Sequence, residues 1–508
     1  MKRKLSGVLI ASAMLTGTAY AEQFDLLGIR ALGMGGANVA AVRDSNASYW
    51  NPAAYGFFAA EEADKGNDGG LGRYAEKDWG LGIDAGVGYT LTGNLAERVN
   101  DLAKVNFAGL QTAATAGGVL TQQQIADSML LVNWLSTLNS QAGFVVRPNG
   151  SVDVRVQHYG VGIHVLGGVA ITGTADLTNI APANLPNMGA IATQITGPVA
   201  PGAPVPPANN AFFSAAQNTQ LVTVMTGNGV PLNQAQTAVN SINTALAANP
   251  NAAGLAAPLL NAVNTVLNAT GTIQNNKSRV HFRGVAVSEV PITYGQTFSP
   301  NLSLGGSVKL MRGKVYASDI SIFNQTNTDL RKKSTQNSST STSFGIDLGA
   351  MYRLPASNVQ AGLLVRNLNS PKFKGQIVDT YSGANIGSYT YQMKPQVRAG
   401  VAWMPTENTA VAADLDLLRN DTLIKGRSSQ MINLGAEWDL FRFLALRAGM
   451  YKDIANSDVG LVYTGGLGVN LWAARLDVGG AISTKKTMIG GKNRPAQAQA
   501  AAALNIDF

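Results

Sequence analysis

The chain lacks the residue types on which metal binding and covalent cross-linking depend. Its 508 residues include no cysteine and only three histidines, His158, His164 and His281. Without cysteine there can be no disulfide, no zinc–cysteine cluster and no thiol redox chemistry. A zinc site needs three or four protein ligands, so we interpret the histidines as lumen or interface residues. We therefore expect no metal and no cofactor.

Charge and long apolar runs are scarce as well. Charged residues make up 13% of the chain, whereas soluble domains carry ~25%. Beyond the N-terminus no stretch contains 18 uncharged apolar residues in a row, so the sequence predicts no transmembrane helix. The low charge, together with 56 glycines, favours a protein with a lipid-facing surface. The small basic excess, +8 in all, gives no reason to expect direct contact with nucleic acid.

Sequence motifs of common enzyme classes are missing too. We find no G-x-S-x-G elbow, no H-E-x-x-H motif and no P-loop. We therefore expect the protein not to be an enzyme and assign no catalytic residue.

A repeated alternation of apolar residues with small or charged ones is the main positive feature. In segment 79–89 every odd position is apolar and every even position is Gly or Asp. The alternation recurs in segments 302–310, 343–352, 397–403, 411–417, 432–438, 444–450 and 475–482. A soluble β-sandwich gives the same local pattern. The number and length of the segments favour an all-β transmembrane fold, an antiparallel outer-membrane β-barrel of about 12–16 strands.

One face of these segments carries charge, at Asp347, Arg398, Asp414, Asp416, Glu437, Arg447, Arg475 and Asp477. We expect this face to line a solvated lumen, because a dry core would require every charge to be paired. Short turns alternate with long polar loops, as in barrels with periplasmic turns and extracellular loops. Two changes in the parity of the alternation, near residues 157 and 283, are interpreted as bulges or breaks.

Both ends of the chain carry features of an exported barrel. Lys2, Arg3 and Lys4 precede an apolar run and an A-x-A site, which predicts a cleaved signal peptide over residues 1–21. The last strand alternates and ends in an aromatic residue, similar to the signal that barrel-assembly machinery recognises; its residues are Leu504, Ile506 and Phe508. We therefore expect a Gram-negative outer-membrane location, with outer-membrane lipid and the assembly machinery as partners.

The remaining chain divides into an N-terminal plug segment, 22–60, and a barrel, 61–508. A mixed helical insertion, 93–278, is predicted to interrupt the barrel. Helical spacing within it predicts helices over 121–138, 233–248 and 254–269. The sequence leaves open which side of the membrane the insertion occupies.

The most specific motif lies in the plug segment. It combines a glycine cluster, an acidic residue and an Asn-Pro-Ala triplet, at Gly33, Gly35, Gly36, Asp44, Asn51, Pro52 and Ala53. Glycine permits positive φ and close approach to a wall, proline fixes a turn, and the asparagine amide can satisfy buried backbone groups. An ordinary glycine-rich loop at the start of a domain is the alternative interpretation.

This segment resembles the N-terminus of the FadL-type outer-membrane transport family. The layout of the whole chain resembles a barrel group known as conjugal transfer protein TraF, from plasmid transfer operons. The first resemblance implies a plug inside the barrel and passive uptake of a hydrophobic or small organic solute. The second implies a barrel associated with conjugal transfer. The alternative is a structural or accessory envelope protein that binds proteins of a conjugation or secretion apparatus.

Overall fold

The structure, a computed structural model, describes residues 24–63, 79–93, 106, 109–110, 118–138, 142–181, 188–200, 202–323, 338–380, 382–406, 408–441, 443–471, 474–489 and 492–507. The predicted signal peptide, 1–21, and the terminal Phe508 lie outside these residues. Within the described part of the chain, every helix is too short or too polar to cross a membrane.

Fourteen strands form one closed antiparallel ring, which confirms the predicted barrel. Each strand pairs with the next along the chain, and β14 pairs with β1. The strands are β1 Trp79–Thr92, β2 Gly143–Val156, β3 Tyr159–Thr174, β4 Arg279–Ser299, β5 Leu302–Ser321, β6 Ser338–Arg353, β7 Val359–Arg366, β8 Gln396–Thr406, β9 Thr409–Asp416, β10 Met431–Leu440, β11 Leu444–Asp453, β12 Leu461–Leu471, β13 Ala474–Ser483 and β14 Gln497–Asp507.

The alternation seen in the sequence separates the two faces of the wall. Ile83 and Val87 of β1 are exposed on the outer face, while Asp84 between them is buried in the lumen. Near the turns that follow even-numbered strands, large aromatic side chains are exposed on the outside: Trp79, Tyr159, Tyr294, Tyr352, Trp403 and Trp438. An apolar band bordered by aromatic residues is the surface expected of a barrel in a bilayer.

The connections differ sharply between the two ends of the barrel. Those that follow even-numbered strands are short, such as 157–158 and 300–301, and we call this side the turn end. The longer connections lie at the opposite, loop end, among them 93–142 and 175–278. β1 begins and β14 finishes at the turn end.

The predicted insertion over 93–278 is wrong in one respect, because two barrel strands, β2 and β3, lie inside it. The helical residues therefore belong to two separate loop-end connections. The parity change near residue 157 is a break and not a bulge, because it marks the turn between these strands, at Gln157, which has positive φ. The change near 283 is not a bulge either, because the β4–β5 register is continuous there. Val285 and Val287 face inward because this part of the lumen is apolar.

Among the described residues, three helices lie in the plug segment and five in the two loop-end connections. The plug helices are α1 Ile29–Gly33, α2 Ala47–Trp50 and α3 Ala54–Ala63; the others are α4 Gln122–Thr137, α5 Met188–Thr196, α6 Ala215–Gly227, α7 Leu232–Ala248 and α8 Ala256–Leu267. Helices α4, α7 and α8 confirm the three predicted ones. We call α4–α8 the helical cap, since they share one buried apolar core. Residues 177–276, which include most of the cap, contain no Asp, Glu, Lys, Arg or His.

A further hairpin, Lys372–Asp379 with Asn385–Gln392, connects β7 to β8 and turns back into the barrel mouth. We call it the lumen hairpin. Phe373 and Tyr391 are fully buried, in a cluster with Val315 and Met311 of β5. The loop-end part of the lumen is therefore filled by apolar side chains.

Candidate functional site: the plugged lumen

The plug segment lies inside the barrel, and its side chains between residues 24 and 58 are nearly all buried. Gly35 and Gly36 adopt φ values of 65° and 82°. Each lies against the wall: a Cβ at Gly35 would sit 2.7 Å from the backbone nitrogen of Met450, and one at Gly36 would sit 2.5 Å from the side-chain nitrogen of Asn433. Positive φ and this close approach together require glycine.

The Asn-Pro-Ala triplet seats the plug on β4, β5 and β6. The Asn51 side-chain amide donates to the carbonyl of Val39 within the plug (3.0 Å) and to the carbonyl of Ala350 in the wall (3.2 Å). Its carbonyl oxygen accepts from the Ala53 backbone (3.1 Å), whose own carbonyl accepts from Ser303 (2.6 Å). The triplet therefore satisfies backbone groups that would otherwise be buried without partners.

A second attachment is a buried chain of charges, which we call the Glu437 network: Arg30, Glu437, Arg447, Asp477 and Arg475. Glu437 lies 2.8 Å from Arg30 of the plug and 2.6 Å from Arg447 of the wall. Asp477 continues the chain, 2.6 Å from Arg447 and 2.8 Å from Arg475. Opposite charges alternate along it, so each buried charge has a partner, as burial demands.

The third attachment joins backbone amides of the plug to a wall carboxylate. Asp414 accepts from the amides of Asn38 (2.8 Å) and Val39 (2.9 Å). Beside it, Arg398 pairs with Asp416 at 2.6 Å and stacks over the ring of Phe24, 4.1 Å from its centroid. Favourable electrostatic and cation–π contacts thus hold the start of the plug in the lumen.

Ser48, Asp153 and His164 are the residue types of a catalytic triad, but their geometry differs from one. Ser48 donates to Asp153 at 2.6 Å, and Nε2 of His164 lies near both, 2.8 Å from Asp153 and 3.2 Å from Ser48. In a triad the serine and the acid contact opposite ring nitrogens. The trio is a further buried link between plug and wall.

Two adjoining cavities lie in the lumen, one of them beside the start of the plug. This one has about 30 Å³ of free space and is lined by Phe24, Leu26, Arg147, Tyr451 and others. The second, also of about 30 Å³, lies toward the loop end and shares Arg147 and Tyr451 with the first. Their linings mix apolar side chains with amides and arginines. With the plug in place, this space is too small for an organic molecule, but its mixed lining is of the kind that ligand sites use.

Most of the residues predicted from the sequence lie at plug contacts. Gly33 approaches the wall at Gly466, and Asp44 lies among charges of the Glu437 network, where burial raises the pKa of its carboxyl despite the nearby arginines. Leu504 and Ile506 pair with Ile83 and Leu81 of β1 and help to close the ring. The structure does not bring these two residues into the lumen site.

Sequence analysis missed two components of the site. One is Arg30, whose partner Glu437 lies 407 residues away. The other is a set of wall glycines against which the plug packs: Gly295, Gly305, Gly349, Gly435 and Gly449. Glycines at alternate, inner-face positions of predicted strands were the available signal, because they leave room for another backbone.

The fold and the site together define a class: an outer-membrane type β-barrel whose lumen holds an N-terminal plug. The chain belongs to the family described as "F plasmid transfer operon, TraF, protein", whose model matches residues 48–416. No curated protein matches the sequence.

Several solved structures are similar to this chain over almost its whole length. The toluene transporter TbuX of Ralstonia pickettii is 12% identical, with a TM-score of 0.46, and the match covers 96% of this chain and 99% of that one. The monoaromatic hydrocarbon channel CymD is 11% identical (TM-score 0.43; 96% and 99% covered). A Pseudomonas aeruginosa FadL homologue is 10% identical (0.43; 96% and 100%). The assignment of the fold rests on the strand pairing described above.

Proposed function

We propose that the protein is a passive channel of the Gram-negative outer membrane for small organic solutes, opened by displacement of its plug. The turn end then faces the periplasm and the helical cap faces outward, as short turns and long loops do in such barrels. The cavity beside Phe24 carries this proposal, since it lies at the start of the plug and adjoins a second cavity toward the loop end, so displacement of the plug would enlarge it. An apolar cluster fills the loop-end part of the lumen, so an organic solute that enters from this end would contact apolar side chains first.

The polarity of the cavities restricts the chemical class of the solute. Hydrocarbons need only an apolar lining, but here Arg147, Asn149 and Gln499 line the inner cavity together with Phe24 and Leu26. Ligand sites generally combine apolar walls with a few polar groups that orient the ligand. We infer a solute with an apolar body and at least one polar group.

Locking the plug to the wall should stop uptake. Ser45 of the plug faces Gly82 of β1, where a Cβ would lie 3.6 Å from that of Ser45, within the range of a disulfide. The native chain has no cysteine to interfere. Benzoate, which has an apolar ring and one polar group, serves as the test solute. When the Ser45→Cys/Gly82→Cys double variant is oxidised, we expect cells that express it to take up radiolabelled benzoate at the background rate. Reduction should restore uptake, because the plug is then free to move.

The control is a cross-link within the wall, Thr293→Cys/Ser307→Cys, at two facing residues whose hydroxyls are 2.7 Å apart. Its oxidation should leave uptake unchanged. If the oxidised plug variant takes up benzoate as fast as the reduced one, uptake does not require the plug to move, and the proposed mechanism fails.

An accessory role in conjugal transfer is the second candidate, favoured by the family to which the chain belongs. The helical cap would then be the part that contacts partner proteins. Among its described residues only Val119, Val205 and Leu232 are large, apolar and exposed, so such a surface would be mainly polar and uncharged.

Removal of most of the cap separates the two candidates. The backbone of Gly271 donates to Thr178 at 3.0 Å, so a short Gly-Ser linker can replace residues 182–268 without straining the barrel. An accessory role predicts a strong fall in plasmid transfer frequency with benzoate uptake retained. A channel alone predicts no change in transfer.

A further inference from the structure

Seven exposed basic residues lie along one side of the loop end. They belong to three successive loop-end regions, namely the connection between β9 and β10, the loop end of β11, and the connection between β13 and β14: Arg419, Lys425, Lys452, Lys485, Lys486, Lys492 and Arg494. Because β9 to β14 are consecutive neighbours in the wall, these regions lie side by side. We call the seven residues the basic rim.

The acidic residues nearby are engaged elsewhere. Asp421 pairs with Lys394 at 2.5 Å, and Asp458 pairs with Arg427 at 2.7 Å. Asp453 accepts from the backbone amides of residues 430, 455 and 456. Within the described part of the chain, no ion pair neutralises a member of the basic rim. The rim is therefore a concentrated positive surface.

The position of the basic rim along the barrel axis shows which layer of the membrane it faces. Lys452 lies directly opposite Ile432, which faces outward and is 43% exposed. One row nearer the turn end, Tyr463 lies opposite Ile482, and both are exposed. The positive charges therefore begin where the apolar band stops. Long basic side chains at this level can keep their stems on apolar surface and their charged tips in the head-group layer.

Exposed apolar side chains are interleaved with the rim: Leu417, Leu418, Ile454 and Met488. We propose that the basic rim binds the phosphate groups of an anionic lipid in the leaflet at the loop end. The acyl chains of that lipid would cover the outer face of β9–β14. Lysine and arginine bind phosphate through charge-assisted hydrogen bonds. A nucleic acid would satisfy the charges but would leave the interleaved apolar side chains without a partner, so the lipid is favoured.

The test compares two variants with equal loss of charge. In Lys485→Gln/Lys486→Gln/Lys492→Gln the rim loses three charges; in Lys277→Gln/Lys372→Gln/Lys374→Gln three exposed lysines are lost from other parts of the loop end. Each purified protein, in a neutral detergent, is titrated with diphosphorylated lipid A at 50 and 200 mM NaCl. We expect the rim variant to bind roughly 10- to 100-fold more weakly at low salt, with a flatter salt dependence. The control variant should bind within about twofold of the parent.

Three outcomes would overturn the proposal: parental affinity in the rim variant, an equal loss in the control variant, or displacement of lipid A by duplex DNA of the same phosphate concentration. A heat-modifiable shift in gel migration verifies that each variant is folded. Should the rim variant not fold, the parent protein alone still tests the proposal. If the parent binds dephosphorylated lipid A as tightly as diphosphorylated lipid A, the basic rim does not bind phosphate. The result does not depend on whether the channel conducts benzoate.

Discussion

Cells that express Gly305→Val are expected to leak small organic solutes without any stimulus, because valine at this position displaces the plug. Gly305 lies on β5, and a Cβ there would sit 2.6 Å from the backbone nitrogen of Ala53 and closer still to Pro52. Backbone on both sides cannot yield as a flexible side chain would. Overpacking of this kind costs about 1–3 kcal/mol, which would raise the displaced fraction roughly 5- to 150-fold.

The adjacent glycine provides the control. A Cβ at Gly306 would point to the opposite face of the strand and would have no atom closer than 3.5 Å. Gly306→Val should therefore leave benzoate uptake at the parental rate, while adding a residue with better strand propensity. Equal leakage in both variants would show that the wall, and not the seat of the Asn-Pro-Ala triplet, had been disturbed.

Replacement of Glu437 should produce a large loss of stability and should also loosen the plug. Its carboxylate joins Arg30 of the plug to Arg447 of the wall, with all three side chains almost fully buried. Glu437→Ala leaves two buried guanidinium groups without this partner, and loss of one member of a buried ion pair costs roughly 3–5 kcal/mol. We expect a lower midpoint of guanidinium unfolding for the detergent-solubilised barrel, together with faster proteolysis of the plug segment.

The variant Asp347→Ala separates a loss of barrel stability from a loss of plug attachment. Asp347 is equally buried and pairs with Lys309 at 3.0 Å, but its ion pairs are with residues of the wall alone. This variant should lower the unfolding midpoint by a comparable amount while the plug stays protected. If Glu437→Ala leaves plug proteolysis at the parental rate, the Glu437 network does not hold the plug.

The sequence predicted which charged residues face the lumen, but it did not predict how they are paired there. The eight charged residues predicted to face inward are all buried, and most of them form ion pairs. Residues such as Arg398 and Asp416 could be placed on a face by their parity alone. Their partners could not be predicted, because neither the barrel circumference nor the presence of plug side chains is encoded in local alternation.

The amino-acid sequence by itself determined those parts of the structure that depend only on residues close together along the chain. The period of two placed apolar side chains outside and charged ones inside, since successive strand residues point to opposite faces. The glycine and Asn-Pro-Ala motif indicated tight backbone approach in the plug segment for a similarly local reason.

Only the tertiary structure decided which residues of the plug and the wall contact each other inside the barrel. Arg30 meets Glu437, and Pro52 meets Gly305, across hundreds of residues. The lumen hairpin and the cavities depend on where the closed wall brings distant segments together. Such contacts are set by closure of the whole sheet and by the need to pair buried charge, and neither is a property of any short stretch of sequence.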